Sequence, residues 1–113
     1  MKQITKAAWQ RVLEKACDIA NASSADDHVL GEVYKAQMLN LLDELEEEFG
    51  LHPEILDTRA DYLDDPVVRR ALYMRALEIA RDRRDQEEVE VILQSLRDLE
   101  RDIMTDAESG AQK

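Results

Sequence analysis

With 113 residues, 26 acidic against 15 basic side chains and a pI near 4.5, the chain carries a formal charge of −11, which speaks against a phosphate backbone or an anionic membrane as partner. Apolar residues at 44% and charged residues at 36% exclude a disordered polyelectrolyte and suit amphipathic helices. Three glycines, two prolines and one cysteine exclude a turn-rich all-β chain and an internal disulfide.

The length gives room for one core. The expectation is therefore a single all-helical domain over residues 1–104, followed by a flexible polar tail over 105–113. Arg11, Glu14 and Lys15 interrupt any signal-peptide apolar run, and no window approaches the ~18 apolar residues of a membrane span. With Cys17 alone, no oxidising compartment is needed, and the expected location is the cytoplasm.

Taken in order, Ile4, Ala8, Trp9, Val12, Leu13, Ala16, Ile19 and Ala20 recur at helical spacing and predict a first amphipathic helix to about Ala22. Ser24 with Asp27 reads as a capping box for a second helix. That helix runs to Phe49 on Leu30, Tyr34, Met38, Leu41, Leu42, Leu45 and Phe49, and Gly50 ends it in a left-handed conformation. Pro53 opens a short third helix on Ile55, Leu56, Ala60 and Leu63, ending at Asp64. Asp65-Pro66 opens a fourth on Val67, Val68, Ala71, Leu72, Ala76, Ile79 and Ala80. Asp85 with Glu88 opens a fifth on Val89, Ile92, Leu93, Leu96, Leu99 and Ile103. The predicted fold is an all-α compact bundle of about five helices.

Charge is local. Residues 43–65 hold Asp43, Glu44, Glu46, Glu47, Glu48, Glu54, Asp57, Asp61, Asp64 and Asp65 against Arg59, ten acids and one base. Three of these, Glu46, Glu47 and Glu48, end the second helix, where its dipole disfavours anions by ~0.3–1 kcal/mol each. The fourth helix inverts the sign with Arg69, Arg70, Arg75, Arg81, Arg83 and Arg84 against Glu78 and Asp82. Pairing of Arg69, Arg70 or Arg75 with Asp57, Asp61 or Asp65 is expected, with a surplus of carboxylates left over.

Ala71-Leu72-Tyr73-Met74-Arg75-Ala76-Leu77-Glu78-Ile79-Ala80-Arg81 resembles the second helix of a tetratricopeptide repeat. Tyr73 precedes small Ala76 by three, and Ala60 and Leu63 match the small and large positions of the repeat's first helix. The similarity covers residues 55–103 and lacks the closing proline, where Asp82 to Asp85 stand. It implies a helical hairpin that binds a protein or peptide in a groove. Residues 8–83 resemble, more weakly, the small all-α immunity proteins that neutralise type VI secretion toxins. The matching stretches are His28-Val29-Leu30, Gln37-Met38-Leu39 and Asp64-Asp65-Pro66 before Arg70-Ala71-Leu72. Glu44-x-x-Glu47 and Asp61-x-x-Asp64 are similar to the acidic pairs of all-α nucleotide pyrophosphohydrolases, which implies Mg²⁺ held by four oxygens. A solvated acidic face explains the same spacing.

Other chemistry is sparse. His28 and His52 have no Cys or second His at ligand spacing, so zinc is not expected. Cys17 is expected as a thiol against the core, not a nucleophile, and no Gly-rich phosphate loop exists. Tyr62 and Tyr73 fall at the edges of their apolar stripes, and a Tyr beside acids suits an interface.

The resulting expectation is a non-enzymatic acidic protein-binding module without cofactor. In its most concrete form it is a bacterial immunity or antitoxin-like protein that occludes the basic site of a toxin. The partner-binding residues are Glu44, Glu47, Glu48, Glu54, Asp61 and Tyr62. The partner is a basic protein, neither nucleic acid nor membrane, and helix five leaves Leu and Ile for a homodimer. The alternative is a tetratricopeptide-like adaptor or secretion chaperone, and the third reading is the metal-dependent hydrolase.

Overall fold

The computed structural model describes residues 2–111, with side chains described to residue 105. Among the described residues there are five α-helices and no strand: α1 (Lys6–Ser24), α2 (His28–Phe49), α3 (Pro53–Asp61), α4 (Pro66–Asp82) and α5 (Gln86–Ala111). The fold is all-α, as the periodicity predicts. No helix among these residues is long and apolar enough to cross a membrane. Backbone through Ala111 is helical, beyond Met104 where the apolar pattern stops, and residues 112 and 113 of the expected tail lie outside the described residues. The chain falls into two units, Met1–Leu51 and His52–Lys113.

In the first unit α1 and α2 pack against each other. Arg11 reaches Glu44 and Lys15 reaches Gln37, so the two helices run antiparallel. Val12, Ile19 and Ala22 of α1 are buried, as are Met38, Leu41, Leu42, Leu45 and Phe49 of α2. The turn between them is a Schellman motif without glycine. Asp27 N–H bonds Ala22 C=O, Asp26 N–H bonds Ser23 C=O, and Asp26 takes the left-handed position at φ 57°. The cap of α2 is then Asp27, whose carboxylate accepts from Leu30 N–H at 3.0 Å. Ser24, expected to cap α2, instead closes α1.

The second unit repeats the device. Asp85 N–H bonds Ala80 C=O, Arg84 N–H bonds Arg81 C=O, and Arg84 sits at φ 57°. Asp85 then accepts from Glu88 N–H at 3.2 Å, and Asp65 caps α4 through Val67 N–H at 2.9 Å. Within this unit α4 packs on both α3 and α5, and α3 also meets α5. Ile55, Ala60, Ala76, Ala80 and Ile92 have no exposed surface, and the three alanines let the helices approach closely. Because α4 is covered on two sides, its buried residues are Tyr73, Ala76, Leu77 and Ala80. Val67, Val68 and Ala71, assigned to the core by periodicity, are exposed.

Candidate functional site

The six residues expected to bind a partner divide between the two units. Glu44, Glu47 and Glu48 belong to the last two turns of α2. Glu44 is exposed and 3.3 Å from the Arg11 guanidinium, itself exposed, a pair worth ~0–1 kcal/mol. Glu47 and Glu48 are exposed, and among the described residues neither carboxylate has an ion pair or hydrogen bond. No basic residue lies in the last turn of α2, so that turn itself supplies no cation against the negative end of the helix dipole.

Glu54, Asp61 and Tyr62 belong to the second unit. Glu54 is half-buried, with its carboxylate 3.7 Å from His52 Nδ1. His52 is only 6% exposed, and its Nδ1 lies 3.0 Å from the Arg83 guanidinium. Because a guanidinium only donates, that nitrogen accepts and the ring proton sits on Nε2. Asp61 accepts from the Tyr73 hydroxyl at 2.5 Å. Burial raises the Asp61 pKa, against the opposing pull of the Tyr73 hydrogen bond and the Arg69 charge. Tyr62 is the half-buried C-cap of α3. Asp61 is thus tied to α4, while Glu54 lies beside a histidine nitrogen that has no proton to give it.

Two further carboxylates carry the strongest perturbation, and charge counting did not single them out. Asp57 is 8% exposed, with Oδ1 sealed and without a hydrogen-bond partner. Its pKa is pushed up to about 6 by burial, then by the charges of Asp61 and Glu54, while a hydrogen bond with the Ser95 hydroxyl pulls the other way. Ser95 has one proton and also reaches Val91 C=O at 3.2 Å, so its donation is divided. Glu88 on α5 is pushed up to about 7, first by burial and then by Glu54, Asp57 and Asp85. Spacing puts Glu54, Asp57 and Asp61 along one side of α3, but only the fold turns Asp57 toward Ser95 of α5.

Several expected contacts form elsewhere. Arg70 pairs with Glu100 on α5, and Arg75 pairs with Glu78 one turn along its own helix at 3.0 Å. Arg69 donates through Nε to Ala60 C=O at 3.0 Å and lies 3.4 Å from the Tyr73 hydroxyl, so it caps the C-terminal end of α3. Tyr73, expected at the edge of its stripe, is 1% exposed. Cys17, expected against the core, is exposed: in its unit α1 has one neighbour, and the thiol lies on the open side. Among the described residues no group of three or more His, Cys, Asp or Glu is arranged to hold a metal ion.

Comparison with protein-family models, with curated proteins and with solved structures finds no match to this chain.

Proposed function

We propose that the protein is a non-enzymatic binding module that docks a basic protein on the acidic C-terminal end of α2. The observation that carries this is the state of Glu47 and Glu48: exposed, without partners among the described residues, and at a helix end with no basic residue in its last turn. Such carboxylates raise the energy of the free protein slightly, and a cationic surface relieves it. Glu44 adds to the same end of α2, since its exposed pair with Arg11 is weak enough to exchange. Long-range attraction speeds encounter, while apolar contacts near the centre of an interface hold it. The most specific form of this reading is an immunity or antitoxin-like protein covering a toxin site that is basic because it binds anions. Occlusion needs no catalytic group.

A second reading, an adaptor or secretion chaperone of tetratricopeptide type, is supported by the α3–α4 hairpin with α5 against both helices and by the full burial of Ala60 and Ala76. Tyr73 is buried and does not line a groove, so a peptide would have to rest on other side chains.

Affinity capture at ~50 mM and ~500 mM salt separates the two, because the Debye length shrinks several-fold between them. Docking on α2 predicts a basic chief partner that is lost at high salt and with Glu47→Gln plus Glu48→Gln. A partner that persists in both tests contradicts it and favours the groove.

A further inference from the structure

We propose that α5 is the seam of a symmetric antiparallel dimer, with Leu93, Arg97, Glu100 and Met104 facing the same residues of a second copy. The four are spaced by four, three and four residues, the d-a-d-a pattern of a coiled-coil seam. Together with Leu96 they line one open groove along the helix. The core stripe of α5 is Val89, Ile92 and Leu99. At 3.6 residues per turn the seam lies about a quarter of a turn away from it. Leu96 and Ile103 are half-buried on the core side, and Leu96 borders the seam.

The charges specify the occupant. Within the chain Arg97 hydrogen-bonds only the neutral Gln94, at 3.3 Å, and has no ion pair among the described residues. Glu100 is held at the edge of α4 by Arg70, with lone pairs left for a second cation. With the two-fold axis between Asp98 and Leu99, an antiparallel copy sets Arg97 against the partner's Glu100 and Leu93 against the partner's Met104, each twice. A parallel copy would set like charges on each other. Arg101 also lines the groove and is paired with Asp98 on its own helix at 3.1 Å, so the surface is close to neutral in sum and suits itself better than a strongly basic or acidic protein. Geometry also accounts for the exposure of the seam. The Arg70–Glu100 pair places the start of α4 near Met104, which is 62% exposed, while the α5 backbone continues to Ala111.

The test is the mass of the full chain by sedimentation equilibrium across the micromolar range, with reductant present because the exposed Cys17 would otherwise cross-link copies. The wild type is expected at twice the chain mass. Arg97→Glu alone and Glu100→Arg alone are each expected at the single-chain mass with unchanged helical circular dichroism. Their equimolar mixture is expected to return to twice the mass, because each acidic seam then meets a basic one. Met104→Glu, which lies outside the core, is expected to dissociate the dimer without touching any ion pair. A wild type that stays monomeric overturns the proposal, as does a dimer indifferent to Arg97→Glu and Met104→Glu, or variants that fail to complement on mixing.

Discussion

Asp57 presents one carboxylate oxygen to a sealed space with no donor, and shares a single Ser95 proton with the Val91 carbonyl. Its folded pKa of about 6, and that of Glu88 at about 7, lie above the ordinary 3.8 and 4.5, so the folded state binds these protons more tightly than the unfolded state. Their stabilisation is complete below the ordinary values and is lost as pH rises through about 6 and then about 7. The melting temperature is therefore expected to fall from mildly acidic to mildly basic pH. Relief of the −11 net charge acts in the same direction, so the variant isolates the cause. Asp57→Asn should flatten the profile and raise the melting temperature at neutral pH by a few degrees, about what 1 kcal/mol gives in a domain of this size. An unchanged slope, or a lower neutral-pH melting temperature, would count against a destabilising buried carboxylate. Sequence alone placed Asp57 in an acidic run but not in the interior. Its burial depends on how α3 turns toward α5, which no local pattern encodes.

At the scale of elements, three turn residues give opposite predictions. Gly50 sits at φ 91°, ψ −175°, a mirror-extended conformation and not the left-handed helical one expected at its position. That region is closed to residues with a Cβ, and Gly50→Ala should cost ~1–3 kcal/mol in urea denaturation. Asp26 and Arg84, each at φ 57°, occupy the position where a Schellman turn favours glycine. Arg84→Gly should stabilise by roughly 0.5–1 kcal/mol, since the strain relieved exceeds the added chain entropy. A destabilising result there would contradict the turn assignment. Helices with clear punctuation were readable in the sequence: Pro53, Asp65-Pro66 and Asp85 all stand where helices begin. The cap of α2 was misplaced by three residues, at Ser24 instead of Asp27, because Asp26, not a glycine, takes the left-handed position. The core face of α4 was also misjudged, because a helix covered by α3 on one side and α5 on the other has no single apolar stripe.

For the whole molecule, the lasting feature is an imbalance of charge. Residues 43–65 hold a net −9 of the total −11, and the arginines of α4 do not neutralise it. Arg70 goes to Glu100 and Arg75 to Glu78, and Arg69, bonded to a backbone carbonyl, offsets part of the charge of Asp61. The existence of an acidic surplus was legible from composition along the chain. Its membership was not, since Asp57 is buried and Asp61 is held by Tyr73, while Glu47 and Glu48 at the end of α2 stay exposed. Neutralising it should also help the free protein: Glu47→Gln with Glu48→Gln is expected to stabilise by about 0.5–1 kcal/mol, read from urea denaturation, as the helix end loses two unfavourable anions.

The most direct test of the central claim is the salt dependence of affinity for the captured partner, measured by calorimetry for the wild type and for the Glu47→Gln, Glu48→Gln variant. Docking of a basic protein on the end of α2 predicts a steep loss of affinity with salt in the wild type, and in the variant weaker binding with a visibly shallower slope. Equal affinities and equal slopes would contradict it.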